Sequence, residues 1–244
     1  MYNFYALIIG SEILNGRRED MHFEFLKKLL SRYNHTLFAS FIVKDDVELL
    51  EKSLELIKSD SKSILFSFGG IGSTPDDLTR EIASKIFRSS PVETNKQFLN
   101  DIIERFGDKA YPHRVNMAKL PPSSQLIKNP INNMSGFSID ERFFFVPGFP
   151  NMSHPMITSV VEDKFSTVIE SYRLTILAQT SEESLISEMN KTAQNIELSS
   201  LPMFKDNRPL VELSLCASSE SDVKDAMEIF VKRLEDLKVS YRYI

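Results

Sequence analysis

Residues 66–81 read FSFGGIGSTPDDLTRE, a buried-type apolar run, a glycine-rich turn and two adjacent carboxylates. A glycine-rich turn opening a helix usually cradles phosphate, because bare backbone N–H groups and the positive helix end both favour an anion. Here Asp76 and Asp77 sit at the same place. Glycine is scarce, 8 of 244 residues, yet Gly69, Gly70 and Gly72 fall within four positions. The turn therefore marks a constrained loop.

Outward from this stretch the first half alternates short apolar runs with amphipathic stretches, the pattern of an α/β domain with a mainly parallel sheet. Strands are expected at Phe4–Ile9, Thr36–Val43 and Ser63–Phe68. Between them, Phe23, Leu26, Leu30 and Tyr33 share one helical face, and Val47, Leu50, Leu54 and Ile57 another. A third helix is expected to start with Thr74 as N-cap, Pro75 at the first helical position and Asp77 closing a capping box. A helix near Asn95–Phe106 follows, then short strands at QLI (125–127) and FFFV (143–146), a PGFP turn (147–150) and a helix over Met152–Phe165.

From about Ser166 the rhythm becomes β-α-β-β-α-β, with a helix over Glu182–Gln194, the order of a ferredoxin-like module. The expected division is 1–166, an α/β domain carrying the site, and 167–244, a small α+β domain.

With 29 Lys and Arg against 34 Asp and Glu, the net charge of -5 disfavours nucleic acid and anionic membrane as partners. A single cysteine, Cys216, excludes an internal disulfide and reads as a small core residue. The apolar start FYALII is too short for a signal-peptide core or a membrane span, so a cytoplasmic protein is expected.

In an open parallel sheet the ligand crevice lies beyond the carboxyl ends of the strands. Gly10, the Asp45-Asp46 pair and the GGIG loop should share that rim, with Gly136 and Gly148 at later strand ends. The loop lacks the Gly-Lys-Ser/Thr of a P-loop, and Pro75 stands where a dinucleotide fingerprint needs glycine. A dianionic phosphate ~5 Å from one carboxylate is repelled by roughly 6–7 kcal/mol at an effective dielectric of ~20, beyond the ~2 kcal/mol a helix end supplies. A divalent cation reverses the sign, so Asp45 and Asp77 are candidate metal ligands and catalytic groups for Mg²⁺, Mn²⁺ or Co²⁺. Capping of the two helices is the competing role for both acidic pairs. Arg17, Arg18 and Arg80 read as solvated surface charges, while His113 and Arg114 are further candidate contacts.

These segments resemble the molybdopterin-binding domain family that includes MogA, MoaB and the N-terminal part of CinA, and the corresponding domain of eukaryotic FAD synthases. The likeness is greatest to the CinA branch and covers about residues 3–160. It is carried by IIGSEILNGRRED (8–20), IVKDD (42–46), GGIGSTPDDLTRE (69–81), NMAKLPPSSQLIKNP (116–130) and FFFVPGFPNM (143–152), with PMFKDNRPLVEL (202–213) resembling the small domain that follows in that branch.

The resemblance implies a three-layer fold, a homo-oligomer and a rim site for a nucleotide or a pterin phosphate. It places Asp45 and Asp77 on the family's acidic pair, and Gly69, Gly70 and Gly72 on its phosphate loop. Gly10, Ser11, Glu12 and Asn15 fall in its first loop, and Ser73, Thr74, Asp76 and Thr79 in the signature. Asn129, Gly136, Pro147 and Gly148 fall in its later loops. The sequence departs from the family pattern at Ser11, Met21-His22, Ser73, residues 129–137 and Met152. The activity implied is metal-dependent hydrolysis of ADP-ribose or FAD. The alternatives are molybdopterin binding or adenylylation, and a regulatory binding protein without turnover. Members of the CinA branch often carry a nicotinamide-nucleotide amidase domain, and none is expected within these 244 residues.

Overall fold

The apolar runs at the start of the chain become β1 (Asn3–Ile9), β2 (Leu37–Val43) and β3 (Ser63–Phe68), parallel neighbours in one sheet of the computed structural model, which describes residues 2–244. Their connections hold α1 (Ser11–Leu14), α2 (His22–Ser31) and α3 (Val47–Ser59), and α4 (Thr79–Arg88) follows β3. A small antiparallel ribbon of β4 (Glu93–Thr94) and β5 (Lys119–Leu120) brackets α5 (Lys96–Phe106), whose Asn95 cap accepts the Phe98 N–H at 3.0 Å. Then come β6 (Gln125–Ile127), β7 (Gly136–Ile139), β8 (Phe143–Val146) and α6 (Pro150–Lys164).

The six-stranded sheet runs β2-β1-β3-β8-β7-β6. Its first three pairings are parallel and the last two antiparallel. It is thus a mixed sheet, in which the expected parallel part is the larger and an antiparallel edge is added to it. The difference is β7, a strand unmarked by any apolar run longer than Phe137-Ser138-Ile139, which turns back on β8 through Asp140 and Glu141, both with positive φ.

Both faces of the sheet are covered, which explains why β1 reads as an unbroken apolar run. Tyr5, Leu7 and Ile9 join a core with residues of α3, α4 and α5, while Phe4, Ala6 and Ile8 join a second core with α2 and α6. Alternate residues thus serve opposite layers. Burial of each large side chain is worth about 1.5–3 kcal/mol, so a charge at Leu7, fully buried, would break the sheet.

The chain divides into two compact units, Met1–Thr167 and Val168–Ile244. The second holds β9 (Tyr172–Ala178), α7 (Ile186–Met189), β10 (Glu197–Lys205), β11 (Arg208–Ala217), α8 (Glu220–Asp236) and β12 (Tyr241–Tyr243). Its sheet is ordered β10-β11-β9-β12 with every pairing antiparallel, and Val223, Met227, Phe230 and Leu234 of α8 pack on it. Cys216 is buried in β11. The helix expected over Glu182–Gln194 shrinks to a 3-10 turn at Glu182–Leu185 and the single turn α7. Polar side chains there bond nearby backbone instead of extending a helix: Ser184 Oγ donates to the Ser181 carbonyl and Thr192 Oγ1 to that of Glu188. Among the described residues no helix is long and apolar enough to cross a membrane.

Candidate functional site

Beyond the carboxyl ends of β1, β3 and β8 lies a cavity of about 510 Å³. Its floor is the glycine loop. Gly69 and Gly70 take φ of +104° and +68°, a region that disfavours side chains, and a Cβ on Gly70 would run into the Thr79 hydroxyl. The loop carbonyls are claimed by the start of α4. Thr79 N–H donates to Gly70 (3.0 Å), Thr79 Oγ1 to Gly69 (3.3 Å) and Arg80 Nη1 to Gly72 (2.5 Å). By contrast, the N–H groups of Gly70, Ile71, Gly72 and Ser73 meet no acceptor among the described residues, and all four residues line the cavity.

This loop corrects the expected helix start. Residues 72–76 form a bend and a turn, and α4 begins at Thr79, five residues after the expected cap Thr74. The capping-type contact exists, since Asp77 Oδ2 accepts both Thr74 N–H (2.8 Å) and Thr74 Oγ1 (2.6 Å), but it closes a turn. The Thr79 N–H is already taken by Gly70, which fixes where the helix starts.

The other walls come from distant loops. Asp45 Oδ2 accepts the Ser11 N–H and hydroxyl, each at 2.9 Å, tying the β1 and β2 ends together. Glu12 pairs with Arg18 at 3.7 Å, and Arg18 donates to the Gly148 carbonyl (3.0 Å) while lying over the Phe149 ring. His22 Nε2 reaches the same carbonyl at 3.3 Å, and its Nδ1 lies 3.2 Å from His154 Nε2. Burial against Phe68 and the neighbouring His154 push the His22 pKa down to about 4. Burial also lowers that of His154.

Of the candidate residues, Gly10, Glu12, Asp45, Gly69, Gly70, Gly72, Ser73, Thr74, Asp76, Asp77, Pro147 and Gly148 line this one cavity. Ser11 and Thr79 stand behind it as the braces just described. Asn15 accepts from Arg17 in the first loop, outside the lining. Asn129 and Gly136 also lie outside it. Asn129 is buried, folding its own loop through bonds to Ile131 N–H and the Met134 carbonyl, and borders a separate polar cleft. Gly136 lets β7 pass β8, since a Cβ there would strike the Phe145 carbonyl.

Several lining residues carry no readable signal in sequence. Phe98 and Phe106 of α5, Met117 and Met134 make an apolar wall, joined by Met152 and by Arg114, whose guanidinium lies 4.7 Å over the Phe106 ring. On a helical face such residues look like ordinary core. Arg114 is the exception, a candidate that the structure brings to the cavity. Arg80 departs from the expected surface charge, being only 4% exposed.

Among the described residues no cluster of three or more His, Cys, Asp or Glu is arranged to hold a metal ion. Asp45 and Asp77 share the cavity wall, yet each already uses one carboxylate oxygen on neighbouring donors. This donor set suits a cation that draws most of its ligands from water and a bound phosphate, not a protein-held metal.

A parallel-cored sheet with a glycine loop at its rim, its amides open to a cavity, defines an α/β domain with a rim cavity. The family described as "Probable molybdopterin binding domain" matches residues 5–167, and the chain belongs to it. A CinA-like protein of Geotalea daltonii is 30% identical over 161 residues, 64% of this chain and 38% of that protein. A CinA-like protein of Dictyoglomus turgidum is 25% identical across 97% of this chain and 60% of its own length. The chain therefore spans 38% and 60% of the lengths of these two relatives. The crystal structure of the CinA protein of unknown function from Thermoplasma acidophilum superposes with a TM-score of 0.60 at 26% identity, covering 66% of this chain and 96% of that one.

Proposed function

We propose that the rim cavity binds a small phosphorylated heterocycle of the molybdopterin class. The phosphate would sit on the amides of Gly70–Ser73 and the ring system against Phe98, Phe106, Met117 and Met134. The observation that carries this is the run of four unpaired loop N–H groups on a cavity wall in a chain of the molybdopterin-binding family. Arg18 and Arg114 add positive charge to a wall that also holds Glu12, Asp45, Asp76 and Asp77. An apolar slot with a few convergent polar groups is the usual form of such sites. The small unit, by its strand order, has a ferredoxin-like arrangement and would serve packing or self-association.

A second reading rests on Asp45 and Asp77 facing one cavity. A divalent ion brought in with the substrate would offset phosphate charge, and a carboxylate would orient water towards the phosphoanhydride. ADP-ribose plus water would yield AMP and ribose 5-phosphate, and FAD would yield AMP and FMN.

Incubating the protein with ADP-ribose, FAD, NAD, or ATP plus molybdopterin, each with Mg²⁺, Mn²⁺ or Co²⁺, separates the readings. Binding of the pterin without product supports the first, an adenylylated pterin adds transfer to it, and AMP from the dinucleotides supports the second. Absence of any binding or turnover would remove both.

A further inference from the structure

We propose that Arg80 is the positioning residue of the anion seat: it fixes and polarises the Gly72–Ser73 peptide so that the loop takes a phosphate without a metal ion. The inference rests on the phosphate seat proposed above, and it concerns how a wall carrying four carboxylates accepts an anion.

A trans peptide points its C=O and N–H in opposite directions. Since Arg80 Nη1 holds the Gly72 carbonyl at 2.5 Å on the α4 side, the Ser73 N–H is turned away from α4, and Ser73 lines the cavity. The same logic orients the Gly70 and Ile71 N–H groups, whose preceding carbonyls are held by Thr79. Residues 79 and 80 thus grip the back of the loop and present a row of donors at its front.

Thr79 does this as a neutral group, whereas Arg80 brings a full charge. Its side chain is 4% exposed, its Nε is buried with no hydrogen-bond partner, and it holds a carbonyl where a buried guanidinium ordinarily holds a carboxylate. Burial works against its charge and lowers its pKa, and Glu81 and Asp77 are near enough to offset part of that. A cation kept one peptide behind the cavity wall, in low dielectric, acts on an anion at the front more strongly than a solvated surface arginine could. It also polarises the intervening peptide, strengthening the Ser73 N–H as a donor.

The probe is inorganic pyrophosphate in EDTA, titrated into the intact protein by calorimetry and by ¹⁵N amide shifts. The wild type should bind it, with the Gly70, Ile71 and Ser73 amides shifting together. Arg80→Met should bind at least tenfold more weakly, while Arg80→Lys, which keeps the charge, should stay within about threefold, a rescue that a purely structural role would not give. Equal binding by Arg80→Met overturns the inference, as does pyrophosphate binding that leaves the loop amides unmoved; should Arg80→Met not fold, Arg80→Gln, which keeps a donor but no charge, takes its place with the same expected loss, and equal binding by it likewise overturns the inference. Binding seen only when Mg²⁺ replaces EDTA also overturns it, yet leaves the proposed function standing. Failure of pyrophosphate and phosphorylated pterin alike, with and without Mg²⁺, removes the phosphate seat itself.

Discussion

His22 Nε2 stands 3.3 Å from the carbonyl oxygen of Gly148, the glycine so close to the phosphate-type loop that a Cβ on it would lie 3.3 Å from Gly69 Cα. The arrangement is satisfied when neutral His22 donates from Nε2 to Gly148 and accepts at Nδ1 from His154. An imidazole that reads in sequence as one of four scattered histidines thus clamps two rim loops together.

Stability should follow His22 protonation. Its pKa is about 4 in the folded protein against 6.5 in the unfolded chain, so below pH 6.5 the unfolded state takes up a proton that the folded state refuses until about pH 4. Stability present above pH 6.5 is therefore lost as pH falls, by about 2–3 kcal/mol at pH 4.5. Urea unfolding of wild type and His22→Gln at pH 7.5 and 4.5 checks this. The variant should be less stable at pH 7.5 but lose less on acidification; an identical pH slope in both would contradict it.

Much of this arrangement is legible in the chain. Ser63–Phe68 and Phe143–Val146 announce themselves as apolar runs ended by Gly69 and by Pro147, and the structure places both strands at those residues. The rim loops are legible because scarce glycines cluster where strands end. The start of α4 is not, because Thr74-Pro75-Asp76-Asp77 satisfies every local rule for a cap and only the Gly70–Thr79 hydrogen bond, made across the loop, moves the helix to Thr79. Arg80 is misread for the same reason, since a charged residue between Thr and Glu carries no sign of the carbonyl that buries it. The apolar wall of Phe98, Phe106, Met117 and Met134 is assembled from α5 and two loops, so no spacing along the chain reveals it.

Glycine substitutions separate binding from scaffolding. Gly70→Ala forces a side chain into φ +68° against Thr79, and strain of this kind costs about 1–3 kcal/mol. It should weaken binding of a phosphorylated ligand at least tenfold. Gly136→Ala should cost a comparable 1–3 kcal/mol by overpacking β7 on β8 yet leave affinity nearly unchanged at a temperature where it is folded. Thermal melts with parallel titrations test both, and unchanged affinity in Gly70→Ala would remove the loop from the site.

Asp77→Asn keeps an acceptor for Thr74 and removes one negative charge from the cavity wall. Metal-free affinity for pyrophosphate should rise by up to about tenfold, while any tightening by Mg²⁺ should disappear. Calorimetry in EDTA and in Mg²⁺ measures both. Equal metal dependence in wild type and variant would leave Asp77 as a turn-closing residue only.

A chain of residues 1–167 should unfold cooperatively alone, since both core clusters on the six-stranded sheet are built within it. Differential scanning calorimetry with near-ultraviolet dichroism tests this. A broad, non-cooperative melt without near-ultraviolet signal would mean that the two units share a core.

The central claim is that the glycine loop seats a phosphate whose attached ring lies on the apolar wall. Fluorescence titration of the intact protein with a phosphorylated pterin and with the same pterin lacking its phosphate tests it most directly. The phosphorylated form should bind at least tenfold more tightly, an advantage lost in Gly70→Ala, and Phe106→Ala should weaken both forms alike. Equal affinity for the two pterins, or binding of the phosphorylated one that Gly70→Ala leaves untouched, would contradict the account.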